Sequence, residues 1–243
     1  MKKYFLLLLL CLSVNVFAQQ EQDSIAIKQL SEVIVSSTRI DLPLSENARS
    51  IQVITKENIQ QAGVTTVADL LQQVAGIDIR RRGIAGTQAD LYIRGGSFDQ
   101  TLLLIDGIKL DDAQTGHHTL NLALPLEVIE RIEIIKGPAA RVFGQNAFTG
   151  AINIVTKSSL DTTGVVNAQA GSYGQTNVEL TMGSSNENSN LLAHYSFNTA
   201  QGYRYNTDLE NQNIFIKGQF NQQAIPIDFI ASFSERKFGA NGF

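Results

Sequence analysis

The sequence predicts an α+β domain, a small mixed β-sheet with short helices, followed by antiparallel strands of a transmembrane β-barrel that is incomplete. Three observations carry this expectation: a secretory leader, a glycine-punctuated region of short strands and one helix, and a long carboxy-terminal region alternating apolar with polar residues. The chain has 243 residues, 43% hydrophobic and 17% charged, with 19 glycines, no tryptophan and a net charge of −4. That balance argues against a disordered chain, and its acidic sign argues against a nucleic-acid binder.

Residues 1–18 read MKKYFLLLLLCLSVNVFA, with Lys2 and Lys3 ahead of an apolar run from Tyr4 to Leu12 and a small-residue cleavage site at Val16-Phe17-Ala18. This is the pattern of a secretory signal peptide. A membrane-spanning helix needs about 20 apolar residues, and Ser13 and Asn15 interrupt this run after about half that. Cys11 is the chain's one cysteine. It lies within the leader, so the mature protein is expected to have neither disulfide nor thiol chemistry. A lipoprotein signal fits poorly, because bulky Leu10 precedes the cysteine and the cysteine comes too early. Beyond Ala18 no stretch has the continuous apolar length of a spanning helix, so any membrane passage is by strands.

Residues 19–49 form an arm that opens polar and acidic, QQEQDSIAIKQLS from Gln19 to Ser31. It has too little apolar content to bury a core and is expected to be flexible. A β-prone string, Glu32-Val33-Ile34-Val35-Ser36-Ser37-Thr38-Arg39, follows inside it.

Residues 50–157 carry the α+β pattern. A short strand is expected from Ser50 to Ile54. A helix follows from Val67 to Val74, with Thr66 as N-cap, Asp69 three residues on, one apolar face and Gly76 closing it. Strands are expected over Ile77–Arg80, Ala89–Ile93 and Leu102–Ile105. Asp106-Gly107 then makes a tight hairpin turn, since both positions favour positive φ, and returns the chain through Ile108–Leu110. Ile132–Ile135 and Ala151–Val155 are further strand candidates. Gly95, Gly107, Lys136-Gly137-Pro138, Gly144 and Gly150 look like turn and scaffold residues.

From Gly164 to Phe243 the period is two. Val178, Leu180 and Met182 alternate with Asn177, Glu179 and Thr181, and similar runs start near Val166, Leu191, Ile214 and Ile225. Five such runs match the signature of membrane barrels, although a soluble β-sandwich gives the same alternation. The leader and the preceding domain favour the barrel. Single-chain barrels need about eight strands and large plugged ones about 22, so five cannot close and the sequence is expected to be a fragment.

Several strings, in order, resemble those of TonB-dependent receptors: EVIVSSTR, VADLLQQVAGIDI, LYIRGG, LLLIDGIKL and LEVIERIEIIKGPAARVFGQNAFTGAINIVTK, then the alternating strands. The finer flavour resembles the cobalamin and catecholate-siderophore receptors. The resemblance implies an outer-membrane barrel filled by a plug at residues 50–157, with barrel strands over 164–243. Uptake is then driven through TonB, and the arm lies in the periplasm. It makes Glu32, Val33, Ile34, Val35, Ser36 and Ser37 the TonB box. Their composition suits strand addition to a partner's sheet edge, where main-chain hydrogen bonds give affinity; the plug's own first strand is the alternative. Arg94 and Arg131 match plug arginines that resemble a lock by pairing with barrel glutamates, expected here beyond Phe243; a local pair of Arg131 with Glu130 or Glu133 is the alternative.

By the same analogy the plug's outward loops are Arg81 to Gln88 and Asp111 to Thr119. Arg81, Arg82, Gln88, Asp111, Asp112, His117 and His118 are thereby candidate substrate contacts. For the arginines, a charge cluster or plug-to-barrel ion pairs read equally well. Adjacent histidines on an extended chain point apart and make poor ligands for one ion, and Asp208 with Glu210 falls short of a calcium site. No cofactor and no nucleic acid is expected. The expected partners are TonB, outer-membrane lipid and a substrate of metal-chelate or cobalamin type. An enzyme is disfavoured, since neither a phosphate-binding glycine motif nor a nucleophile constellation is evident. A periplasmic plug-like module without transport is the alternative, and the long run of alternating strands speaks against it.

Overall fold

The computed structural model describes residues 34–35, 42–43, 51–83, 87–110, 115–120, 122, 124–137, 143–160, 164–222 and 225–241. The leader, the arm from Gln19 to Ser31, and Glu32, Val33, Ser36, Ser37, Asp111, Asp112 and Pro138 lie outside the described residues.

Two short strands, β1 (Ile34–Val35) and β2 (Leu42–Pro43), pair antiparallel as a sheet of their own. The α+β domain then begins with β3 (Ile51–Thr55). An unexpected helix, α1 (Lys56–Gln61), follows it directly. Its signal is a capping box: the Asn58 amide donates to Thr55 Oγ1 (3.4 Å) and the Thr55 amide donates to Asn58 Oδ1 (3.2 Å). Only Ile59 of this helix is buried, so apolar periodicity could not reveal it.

Helix α2 (Val67–Gln72) has the expected Thr66 cap, whose hydroxyl accepts from the Asp69 amide at 3.1 Å. It buries Val67, Leu70 and Leu71, each contributing about 1.5–3 kcal/mol of hydrophobic stabilisation. The helix stops two positions before the expected Val74, which is itself buried in the following turn.

Strands β4 (Ile77–Arg81) and β5 (Ala89–Ile93) form a separate hairpin. The main sheet of the domain has the order β3-β8-β9-β6-β7, with β6 at Thr101–Ile105, β7 at Ile108–Leu110, β8 at Ile129–Lys136 and β9 at Gly150–Thr156. β6 and β9 are parallel and the other pairs antiparallel. The run Leu102-Leu103-Leu104 is continuously apolar because β6 is covered on both faces. Leu103 joins the main core, whereas Leu102 and Leu104 pack with Ile135, Ala147 and Ala151.

Strands β10 (Gly164–Ala170), β11 (Thr176–Asn186), β12 (Ser189–Ala200), β13 (Leu209–Gln222) and β14 (Ile225–Phe238) form one antiparallel sheet in sequence order. Val178, Leu180 and Met182 point to the exposed face, with Leu191, Tyr195, Ile214, Phe220 and Phe233. Thr181, His194, Phe215 and Lys217 point the other way and are buried. Leu192 and Phe215 enter the hydrophobic core of the α+β domain, so the two parts share one packed interior. Among the described residues no helix is long and apolar enough to cross a membrane.

Candidate functional site at the domain–strand interface

The turn Asp106-Gly107 between β6 and β7 is the centre of the interface. Both residues have positive φ, 49° and 78°, which joins two strands without splaying them and explains the glycine. The Asp106 carboxylate accepts from the Thr156 amide (2.7 Å) and the Thr156 hydroxyl (2.6 Å), tying the turn to the end of β9. The Gly107 amide donates to Asn153 Oδ1 (2.9 Å), whose amide nitrogen donates to Glu133 Oε2 at 3.3 Å. Glu133, wholly buried, also accepts from Arg131 Nε at 2.8 Å. These partners stabilise a carboxylate whose unpaired burial would cost several kcal/mol, about 3–5 on loss of a partner.

From β13, Lys217 reaches this network. Its ammonium donates to Asp106 Oδ2 (2.9 Å), Thr156 Oγ1 (2.8 Å) and the Thr156 carbonyl (3.2 Å). The sequence marks Asp106 as a turn residue and Glu133 as a possible partner of Arg131, but gives no role to Lys217, Asn153 or Thr156. The available signal was Lys217 itself, a charge at an inward position of the run Ile214 to Phe220.

Arg131 is engaged by Glu133, the local alternative weighed for it. Arg94 has a φ of 51°, and its amide donates to the Gly76 carbonyl at 2.9 Å. It lies beside Lys136, whose ammonium donates to the Ala75 carbonyl (2.6 Å) and Gln52 Oε1 (2.9 Å). Burial, then the Arg94 charge, lowers the Lys136 pKa. Gly95, Gly137 and Gly144 all adopt positive φ. Gly150 meets a different demand: a Cβ there would lie 2.5 Å from the Ile135 carbonyl oxygen and 2.9 Å from Ile93 Cδ1.

The arginines before Gly83 are bound within their own domain. Arg80 pairs with Asp78 at 2.9 Å and lies 4.5 Å over the Tyr92 ring. Arg81 pairs with Asp69, and Arg82 is 3.5 Å from Asp90. The Arg82 amide donates to the Gln88 carbonyl at 3.0 Å. His117 and His118 sit on a 3-10 turn, Gly116–His118, rather than on extended chain. Thr115 caps that turn through the His117 amide, which is why the extended reading fails there. His117 Nδ1 bonds the buried Asp90 carboxylate at 2.8 Å, and its ring stacks on Phe98 at 4.0 Å. Among the described residues no group of three or more His, Cys, Asp or Glu side chains is placed to hold a metal ion.

A polar cavity of about 90 Å³ separates Arg81 and Thr87 from the inner wall of the strands. That wall carries a cross-strand row, Asn177, Asn198, Asn211 and Arg236, in mutual register on β11 to β14. On the same wall Glu179 of β11 meets Glu127 of the plug. Burial and the Glu179 charge push the Glu127 carboxyl up to about 7.

Residues 43–151 match the family model described as the TonB-dependent receptor plug domain. Residues 43–151 are therefore a plug domain of the TonB-dependent receptor kind, and β10 to β14 follow it as one antiparallel sheet. Over 144 residues the chain is 37% identical to the vitamin B12 transporter BtuB of Vibrio vulnificus CMCP6, covering 59% of this chain and 23% of that protein. Over 126 residues it is 36% identical to BtuB of Vibrio cholerae M66-2, covering 52% and 20% respectively. The chain therefore spans about a quarter or less of these relatives' length. The same fold occurs in Pseudomonas aeruginosa FpvA bound to a heterologous ferric pyoverdine, with TM-score 0.71 and 19% identity over 84% of this chain and 27% of that one. It also occurs in the Escherichia coli ferric-catecholate import receptor Fiu, with TM-score 0.61 and 20% identity over 80% and 28%.

Proposed function

We propose that this chain supplies the coupling and gating parts of an outer-membrane receptor for active uptake of a scarce, large nutrient into the periplasm. The nutrient is of ferric siderophore, haem or cobalamin type, with cobalamin favoured by the names of the relatives sharing 36–37% identity. The observation carrying this reading is the seating of the plug on the inward face of β11–β14, where Leu192 and Phe215 complete the plug's core. A barrel lumen filled by a packed domain passes a large solute only when that domain moves or rearranges. Work done on the plug then supplies the gate, and no covalent catalysis is needed.

The work enters through TonB at the box, Glu32 to Ser37. Ile34 and Val35, the described residues of this stretch, pair with Pro43 and Leu42 and so are extended and take part in strand pairing. TonB adds its own strand by the same main-chain hydrogen bonds. Arg94 and Arg131 act as lock arginines, with a barrel carboxylate sharing Arg131 with Glu133. Substrate contacts come from the outward loops around Arg81 to Gln88 and Asp111 to Thr119. Substrate binding outside and TonB engagement inside are coupled through the single plug.

The test uses the full-length receptor in cells deleted for their own receptors, offered labelled cobalamin, haem and a panel of ferric siderophores. Accumulation of one of these is expected. Binding and accumulation of none would overturn the reading.

A further inference from the structure

The lumenal face of β13 carries one residue that the transport reading leaves unexplained. Lys217 is buried, its side chain 8% exposed, and it stands 111 positions along the chain from its carboxylate partner. Its neighbours in the inner cross-strand row are Gly183, Leu192 and Ile230, none of which can neutralise it. Such an ammonium is tolerated only if its charge and its three donors are satisfied. All three acceptors come from the plug: Asp106 Oδ2, Thr156 Oγ1 and the Thr156 carbonyl.

The anchor point is equally specific. Asp106 sits in the β6–β7 turn and is bonded to the end of β9. Through Gly107, Asn153 and Glu133 the turn is linked to Arg131 on β8. A load on Lys217 therefore passes into the central strands of the plug sheet, not into a loop that could yield alone.

We propose that Lys217 and Asp106 form an ionic latch that holds the closed plug against the barrel wall, with Thr156 completing the cage, and that plug movement requires its release. The cation is on the barrel and the anion on the plug, opposite to an arginine lock meeting barrel glutamates. Removing either partner leaves the other charge buried and uncompensated, whereas removing both leaves a neutral contact. The latch rests on the gated-plug reading, but its test needs neither substrate nor TonB.

The experiment measures urea-induced release of the plug, by protease accessibility, in the full-length receptor reconstituted in lipid vesicles. Lys217→Met and Asp106→Asn are each expected to raise the released-to-seated ratio roughly tenfold or more. The double variant should fall well short of the product of the two effects. Lys217→Arg, which keeps the charge, should stay near wild type. Singles within about twofold of wild type, or strictly multiplicative effects, would overturn the latch. If Asp106→Asn spoils the turn, the contrast of Lys217→Met with Lys217→Arg decides alone; equal behaviour of those two rejects the proposal. An intact latch without substrate accumulation would count against the uptake reading only, and the reverse result against the latch only.

Discussion

Val35 pairs with Leu42 in antiparallel register, and this main-chain pairing defines what a substitution there should do. Proline at this position removes a backbone donor and fixes φ, while alanine keeps the donor. Val35→Pro is expected to abolish uptake and leave substrate affinity intact, with Val35→Ala near wild type, measured by labelled-substrate uptake beside equilibrium binding. Glu127 gives a pH-dependent counterpart. Its carboxyl titrates at about 7 in the folded chain against 4.5 ordinarily, so the folded state holds the proton more tightly. Its stabilising contribution is fully present below pH 4.5 and lost as pH rises through about 7. Glu127→Gln should therefore stabilise the plug by about 1–3 kcal/mol at pH 8 and change little at pH 4, read by plug unfolding at the two pH values. Individual pairings were the least legible feature of the sequence. The three arginines at 80 to 82 could face a ligand or their neighbours; Asp78 lies two residues from Arg80 on the same strand, but only three-dimensional proximity brings Asp69 to Arg81 and Asp90 to Arg82.

Elements were legible where local chemistry was sufficient. Thr66 with Asp69, and Asp106 with Gly107, specify a helix start and a hairpin from a few residues, and both form as expected. Thr66→Ala should lower plug stability by about 1 kcal/mol in denaturant titration, because the Asp69 amide loses its acceptor. Helix α1 was missed because its apolar face is one residue wide, and the pairing of β4 with β5 apart from the main sheet depends on contacts no periodicity encodes. In the barrel strands, alternation gave each side chain's facing. Ile214 points outward and Asn213 lies on the inward wall beside Ser196. Ile214→Arg is expected to destabilise membrane insertion by about 2–4 kcal/mol if it lies near mid-depth, and Asn213→Arg by much less. Folding yields into lipid vesicles, read by heat-modifiable gel mobility, compare the two directly.

At the scale of the whole molecule, the described contacts that join the α+β domain to the strand sheet include apolar packing and a buried charge. Leu192 and Phe215 supply apolar packing, and Lys217 supplies a charge to the Asp106 turn. The fold class was readable because a change from short mixed elements to sustained alternation is a global pattern. The interface was not, since Lys217 and Asp106 are distant in sequence and each has an ordinary local role. Under the proposed uptake role, moving a plug that is packed against the wall requires an external source of work. The most direct measurement is accumulation of the receptor's substrate by isogenic cells with and without TonB, at equal surface expression of the full-length receptor. The account predicts equal binding in both strains and accumulation only where TonB is present; undiminished accumulation without TonB would contradict it.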